Sequence, residues 1–312
     1  MKKPLATRQL MTGAVSLVVS VSLLTMLIMR IDLERAIVVL RLVKWQWLLA
    51  ATGMVCILPF SAALRWQGVL RAYGNTRMPF GRSVRAVMMA NVLNSFLPSK
   101  GGDLAKAVYL RKQVGLSIGF GTVFVERLVD LMVLGFLGAV AQTVNHNSGW
   151  GARGGWFLLL FVFCLVVILL LLPLEALPFP KKISSIFNDT KQLFRNWLKN
   201  PVAMIQTLAG SIITWYIGGS VVLALTRSFA ADLNPSNIYA IYPTAVIAGL
   251  IPITVSGIGT RDSAFVILLS SYLPSEEATL VGIGYTLFVY WLLSLISFPV
   301  VSRDIIKYLR KK

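Results

Sequence analysis

The chain has 312 residues with 30 Lys and Arg against 12 Asp and Glu; 56% are hydrophobic and only 13% charged. A water-soluble domain carries about 25% charged residues, so a soluble enzyme or a soluble nucleic-acid binder is excluded, despite a net charge of +18. The lone His146 sits in a Gly/Asn-rich loop, and Cys56 and Cys164 lie inside apolar runs. A His-based metal centre, a Ser-His-Asp triad and a disulfide framework are therefore excluded too.

The first apolar run, 11–29, follows Lys2, Lys3 and Arg8. It is long enough to cross a bilayer and is followed by no small-x-small cleavage site, so it is expected to be a retained span rather than a secretory signal. Residues 30–44 carry four basic residues, with Leu33, Ile37 and Leu40 at helical spacing, as in an interfacial amphipathic helix. A second span covers 45–64. After it, Arg65, Arg71, Arg77, Arg82 and Arg85 mark a cytoplasmic connection.

Residues 82–112 then form a short apolar stretch, a Pro/Gly-rich polar break and a second short apolar helix. The third span, 119–141, is followed by a loop with Arg153 as its single basic residue. A fourth span occupies 156–173. Lys181, Lys182, Lys191, Arg195 and Lys199 then accompany apolar Ile186, Phe187, Leu193, Phe194, Trp197 and Leu198, the pattern of an amphipathic helix on the inner surface. A fifth span fills 202–226. Residues 237–271 repeat the interrupted pattern, and 278–301 form the last span before a basic tail.

Six spans with both ends inside require 82–112 and 237–271 each to enter and leave on one face, as re-entrant hairpins. The expected fold is an all-α polytopic membrane protein, an inverted repeat of three spans plus one hairpin per half, with halves at 1–150 and 151–312. The two breaks match: Pro98-Ser99-Lys100-Gly101-Gly102-Asp103, and Pro252 followed by Ser256-Gly257-Ile258-Gly259-Thr260-Arg261-Asp262. Inverted repeats with discontinuous helices place a substrate near the midplane. Helix starts at Asp103 and at Thr260–Arg261 favour an anion, and Lys100 and Arg261 add full positive charges. The alternative is that these residues only cap helices and that the glycines permit close packing.

Within the third span, Glu126 and Asp130 lie at i,i+4 and Arg127 and Asp130 at i,i+3, so they share a helix face. Each such charge costs about 2.5–3.5 kcal/mol at the centre of a span, which marks a gate, a relay, or a structural salt bridge to Lys100 or Lys106.

The stretch from Asn94 to Ala107, with Pro98-Ser-Lys-Gly-Gly-Asp103 at its centre, resembles the flippase-like family. So do Val125-Glu-Arg-Leu-Val-Asp130 and the Pro252 through Gly257-Ile-Gly-Thr-Arg-Asp262 signature. That family includes the transmembrane domain of lysylphosphatidylglycerol synthetase, the multiple peptide resistance factor. The pattern there commonly has Gly-Glu and Arg-Glu where this chain has Gly102-Asp103 and Arg261-Asp262. The resemblance implies a stand-alone translocation unit, with no synthetase domain attached.

The function expected is movement of an anionic-headgroup phospholipid or lipid-linked precursor between leaflets of a bacterial-type inner (plasma) membrane, with both termini cytoplasmic. Lys100, Gly101, Gly102, Asp103, Gly257, Gly259, Arg261 and Asp262 would bind substrate. Glu126, Arg127 and Asp130 would gate or relay, and Pro98 and Pro252 would break the helices. No enzymatic activity, cofactor or metal is expected. The expected partners are membrane lipids and a lipid-modifying or glycosyltransferase enzyme, not nucleic acid, and an oligomer stays open. Two alternatives remain: a non-transporting scaffold for such an enzyme, and an intramembrane transferase acting on a polyprenyl phosphate.

Overall fold

The computed structural model describes residues 4–29, 31–74, 78–97, 101–111, 113–145, 153–172, 180–229, 232–251 and 253–309. Pro98, Lys100 and Pro252, expected to break helices or bind substrate, lie outside the described residues.

The regular elements are helices. The first half runs α1 (Pro4–Met29), α2 (Leu33–Arg41), α3 (Trp45–Arg71), α4 (Phe80–Asn94), α5 (Leu104–Leu110) and α6 (Leu116–Asn145). The second runs α7 (Gly154–Leu171), α8 (Lys181–Lys199), α9 (Pro201–Ser228), α10 (Pro235–Leu250), α11 (Thr260–Leu269) and α12 (Ser275–Thr286). A π-helical turn at Leu287–Leu292 joins α12 to α13 (Leu293–Leu309) in one continuous rod. The order long helix, amphipathic helix, long helix, broken hairpin, long helix thus occurs twice.

The helix α3, the helix α7, the helix α9 and the stretch Ser275–Ser302 are each long and apolar enough to cross a membrane. At 1.5 Å per residue, the 30 residues of α6 also exceed a hydrocarbon core of about 30 Å. The chain is a multi-pass membrane protein.

Local sequence explains the amphipathic pieces. The Asp32 side chain caps α2 by accepting from the backbone N–H groups of Glu34 (2.9 Å) and Arg35 (3.3 Å). With this cap the chain turns by 86° from α1, leaving Leu33, Ile37 and Leu40 exposed along α2. A bend of that size lets α2 lie along an interface while α1 crosses it. In α8 the apolar residues Leu193, Phe194 and Trp197 are buried against the bundle. The Trp197 indole donates to Thr207 Oγ1 of α9 at 3.1 Å, so α8 is docked to the protein as well as amphipathic.

The core pairing is between α3 and α9. Ser61 and Thr214 share a hydrogen bond of 2.8 Å, a Cβ on Gly210 would meet the Arg65 backbone, and one on Gly68 would meet Thr207. Residue numbers fall on α9 as they rise on α3, so the two helices run antiparallel. Small residues let the backbones approach closely where apolar side chains offer no preference over lipid.

Both interrupted segments fold back on themselves. A Cβ on Gly102 would lie 2.6 Å from the Ala90 carbonyl, so the first break is pressed against the end of α4. In the second, Gly257 has φ +75° and a Cβ there would stand 2.9 Å from Gly249 Cα, which only glycine allows. The hairpins are exchanged between halves: α4 packs on α13, and α10 packs on α6.

Candidate functional site

Six charged side chains meet where α3, the first break, α5 and α6 converge: Arg65, Asp103, Lys106, Glu126, Arg127 and Asp130. Three are cations and three are anions, so the cluster is neutral as a whole. Its hub is Glu126, which is fully buried. Arg65 donates to Glu126 Oε1 from Nε at 2.9 Å and from Nη2 at 2.6 Å. Lys106 Nζ donates to Glu126 Oε2 at 2.5 Å.

Asp130, one turn on, pairs with Arg65 Nη1 at 2.7 Å and accepts from Ser211 Oγ at 2.9 Å and Trp215 Nε1 at 3.1 Å, both on α9. Arg127 Nη2 reaches Asp130 Oδ2 at 3.1 Å, Glu126 Oε1 at 3.3 Å and Asp103 Oδ2 at 3.4 Å. Asp103 also faces Lys106 at 3.6 Å and accepts from Asn94 Nδ2 at 3.2 Å.

Charges buried in a bundle of this kind are tolerated only when paired with opposite charges and hydrogen-bonded. Arg127 differs from the rest of the cluster. Its side chain is 26% exposed where that of Arg65 is 5%, and its contacts run from 3.1 to 3.4 Å where Arg65 holds its carboxylates at 2.6 and 2.7 Å.

Arg65, Asp103, Lys106, Arg127 and Asp130 line a cavity of about 100 Å³, whose opposite wall includes Tyr242, Tyr285 and Tyr290. A water needs at least about 10–15 Å³ of such space, so the cavity has room for a phosphate-sized group.

The second break meets the cavity from behind that wall. The Arg261 guanidinium lies 4.1 Å from the Tyr290 ring centroid and 5.2 Å from that of Tyr285. Its Nη1 donates to the Ser256 carbonyl at 3.1 Å and its Nη2 to Thr286 Oγ1 at 2.5 Å. Asp262 accepts from Thr286 Oγ1 at 2.6 Å and from the Gly259 N–H at 3.0 Å.

The sequence leads one to expect open, anion-seeking helix starts at both breaks, and the structure differs at each. The start of α11 is capped by its own Asp262, and Arg261 is not among the residues lining the cavity. At the first break, Gly101–Asp103 form a 3-10 turn, and Asp103 makes no capping hydrogen bond to α5 but turns to the cluster. Glu126, Arg127 and Asp130 do come together as their spacing predicts, and Lys106 is a salt-bridge partner of Glu126, while Lys100 lies outside the described residues.

Arg65 is the residue the sequence reading missed. Taken as a marker of the cytoplasmic connection, it lies instead within α3, 4% exposed and paired to two carboxylates. Its signal was available: Ser61, Arg65 and Gly68 stand at i−4, i and i+3 on one helix face. An arginine flanked by small residues on the face that meets another helix is not a loop residue. Among the described residues, no three His, Cys, Asp or Glu side chains converge as metal ligands.

Two UPF0104 membrane proteins of Methanocaldococcus jannaschii are similar to this chain. One is 27% identical over 69% of this chain and 96% of its own length. The other is 22% identical over 95% and 96%. Residues 13–297 match the family described as the lysylphosphatidylglycerol synthase TM region, a stretch that holds all six cluster residues and both breaks. The chain therefore belongs to the lysylphosphatidylglycerol synthase transmembrane-region family.

Proposed function

We propose that this protein moves a lipid with an anionic headgroup, a phospholipid or a lipid-linked precursor, from one leaflet to the other. One observation carries the reading. A neutral cluster of six charges, five of which line one cavity, sits where the first helix break meets α3, α5 and α6, with the second break behind the facing tyrosines. Intramembrane ionisable groups that face a cavity mark pathways, and broken helices at a repeat interface are where transporters hold substrate.

A phosphate entering the cavity has to be exchanged for a carboxylate, because the cluster carries no surplus positive charge. Arg127 is the natural site of exchange, since it is the most exposed cation and its contact with Asp103 is the longest it makes. Arg65 and Lys106 then hold Glu126 and Asp130 in place while Arg127 changes partner. Arg261 contributes when the second break opens and draws the Tyr285–Tyr290 wall aside. Opening consists of one half rocking against the other across α3 and α9. The protein performs no covalent chemistry in this account, and a lipid-modifying or glycosyltransferase enzyme supplies or consumes the lipid. It operates in a bacterial-type inner membrane with both termini cytoplasmic.

The test uses purified protein in liposomes with headgroup-labelled anionic lipid and a membrane-impermeant quencher outside. The expected result is quenching beyond the outer-leaflet signal, abolished in Arg127→Gln and reduced in Arg261→Ala. Equal quenching in wild type and both variants overturns the proposal.

A further inference from the structure

A second cavity, of about 390 Å³, lies beyond Asp103 and Arg127, which line both cavities. Its other walls are apolar, including Leu104 of α5, Phe120 and Phe124 of α6, Leu169 of α7, and Ile186 and Phe187 of α8. Among its lining residues the uncharged polar side chain is that of Thr190, and its hydroxyl is already donated to the Ile186 carbonyl at 2.6 Å. Nothing on these walls calls for a polar ligand. Leu104 and Phe124 are themselves exposed, so the chamber opens on the surface of the bundle. One end therefore meets hydrocarbon and the other ends on an ion pair.

That combination matches an amphiphile. At about 30 Å³ per methylene, the 390 Å³ chamber has room for at least much of one hydrocarbon chain. At its charged end stands the Arg127 guanidinium, which lines the chamber and is the most exposed cation of the cluster. We infer that the chamber holds one hydrocarbon chain of a membrane lipid whose phosphate meets Arg127. The Arg127–Asp103 pair then partitions the apolar chamber from the polar cavity, and a headgroup passes from one to the other by replacing Asp103. The inference deepens the transport reading and rests on it for the anionic nature of the headgroup.

Full-length protein in liposomes is photolysed with a phospholipid carrying a diazirine in one acyl chain, and the adducts are mapped by mass spectrometry. Label is expected on peptides containing Phe120, Phe124, Ile186 and Phe187, and it should fall in Leu104→Trp and Ile186→Trp. Label on the outward-facing Leu160 and Phe163 of α7 should stay constant in those variants. A diazirine diacylglycerol with the same chains and no phosphate is expected to label the chamber about tenfold less, the ratio that corresponds to 1.4 kcal/mol. This arm needs only the wild-type protein. Label confined to α7's outer face, or equal chamber labelling by both lipids, overturns the inference. Chamber labelling without quencher access to the inner leaflet would sustain it while ending the transport reading. Transport with an unlabelled chamber would do the reverse.

Discussion

Ser256 Oγ donates a hydrogen bond to the backbone carbonyl of Asn94 across 2.8 Å, tying the second helix break to the end of the first hairpin's entering helix. The π-helical turn braces the same junction. The Tyr290 carbonyl accepts from Ser95 Oγ at 3.1 Å, while its ring lies over Arg261. Trp291 also packs edge-on against Phe96 with centroids 5.9 Å apart. Both breaks are thus coupled to one irregular turn, and π-bulges occur frequently at functional sites. Movement of either hairpin has to pass through these contacts.

Ser256→Ala removes a side-chain link that joins the two breaks directly and leaves the Asn94 carbonyl without that donor. The expected loss is about 1–3 kcal/mol of stability, the cost of an unsatisfied buried group. It should appear as a lower Tm in detergent. Ser256 also has φ 57°, so Ser256→Gly relieves a left-handed position and should lose less than Ser256→Ala. Equal losses would mean that the left-handed position carries no strain, and no loss in Ser256→Ala would mean that the hydrogen bond contributes nothing.

The cluster members should differ in what their removal costs. Arg65 is buried and holds two carboxylates at 2.6 and 2.7 Å, so Arg65→Gln leaves Glu126 and Asp130 undercompensated. A loss of about 3–5 kcal/mol is expected, enough to impair folding. Arg127→Gln removes longer contacts from a more exposed group and should cost clearly less stability while removing transport. Thermal melts beside the quencher assay separate the two roles. Pairing Arg65→Gln with Asp130→Asn should recover part of the loss, because the double variant restores neutrality.

Much of this was legible in the sequence, since membrane helices announce themselves by composition and length. The long helices and both amphipathic segments fall where apolar runs and helical spacing place them, because lipid forces every backbone group to be satisfied within its own segment. The cluster was half legible. Glu126, Arg127 and Asp130 share one helix face, but their partners on α3 and α5 become neighbours only through tertiary packing. Arg65 was misread because a basic residue after an apolar run normally signals a loop. Asp103 and Asp262 have similar local sequence, yet one turns to the cluster and the other caps its own helix. Spacing alone does not separate those fates.

The glycines of the breaks, alike in sequence, should respond differently to alanine. Gly257→Ala adds a Cβ at φ +75° and 2.9 Å from Gly249 Cα, and a loss above about 1 kcal/mol is expected. Gly102→Ala drives a Cβ to 2.6 Å from the Ala90 carbonyl, at a cost of about 1–3 kcal/mol. At Gly101 the nearest atom stands 3.6 Å away, so Gly101→Ala should fall within about 0.5 kcal/mol of wild type. A Tm for Gly101→Ala as low as that of Gly257→Ala would contradict the packing of the first break.

Asp103 offers the most direct test of how a phosphate enters. Its contacts with Arg127 and Lys106, at 3.4 and 3.6 Å, are the longest ion pairs in the cluster, so of the three carboxylates it is the one these cations hold least closely. Asp103→Asn keeps the shape and an oxygen acceptor but removes one negative charge, leaving the cluster at +1. If the headgroup phosphate competes with Asp103 for Arg127, the variant should take up anionic lipid more readily. Half-maximal transport would then come at a lower lipid fraction, by about fivefold for a coupling of about 1 kcal/mol, and a lipid without a phosphate would gain nothing. If Asp103 instead has to ionise and reprotonate as a relay, the same substitution should stop transport as completely as Arg127→Gln. Titrating anionic lipid in the quencher assay for wild type, Asp103→Asn and Arg127→Gln separates competition from relay.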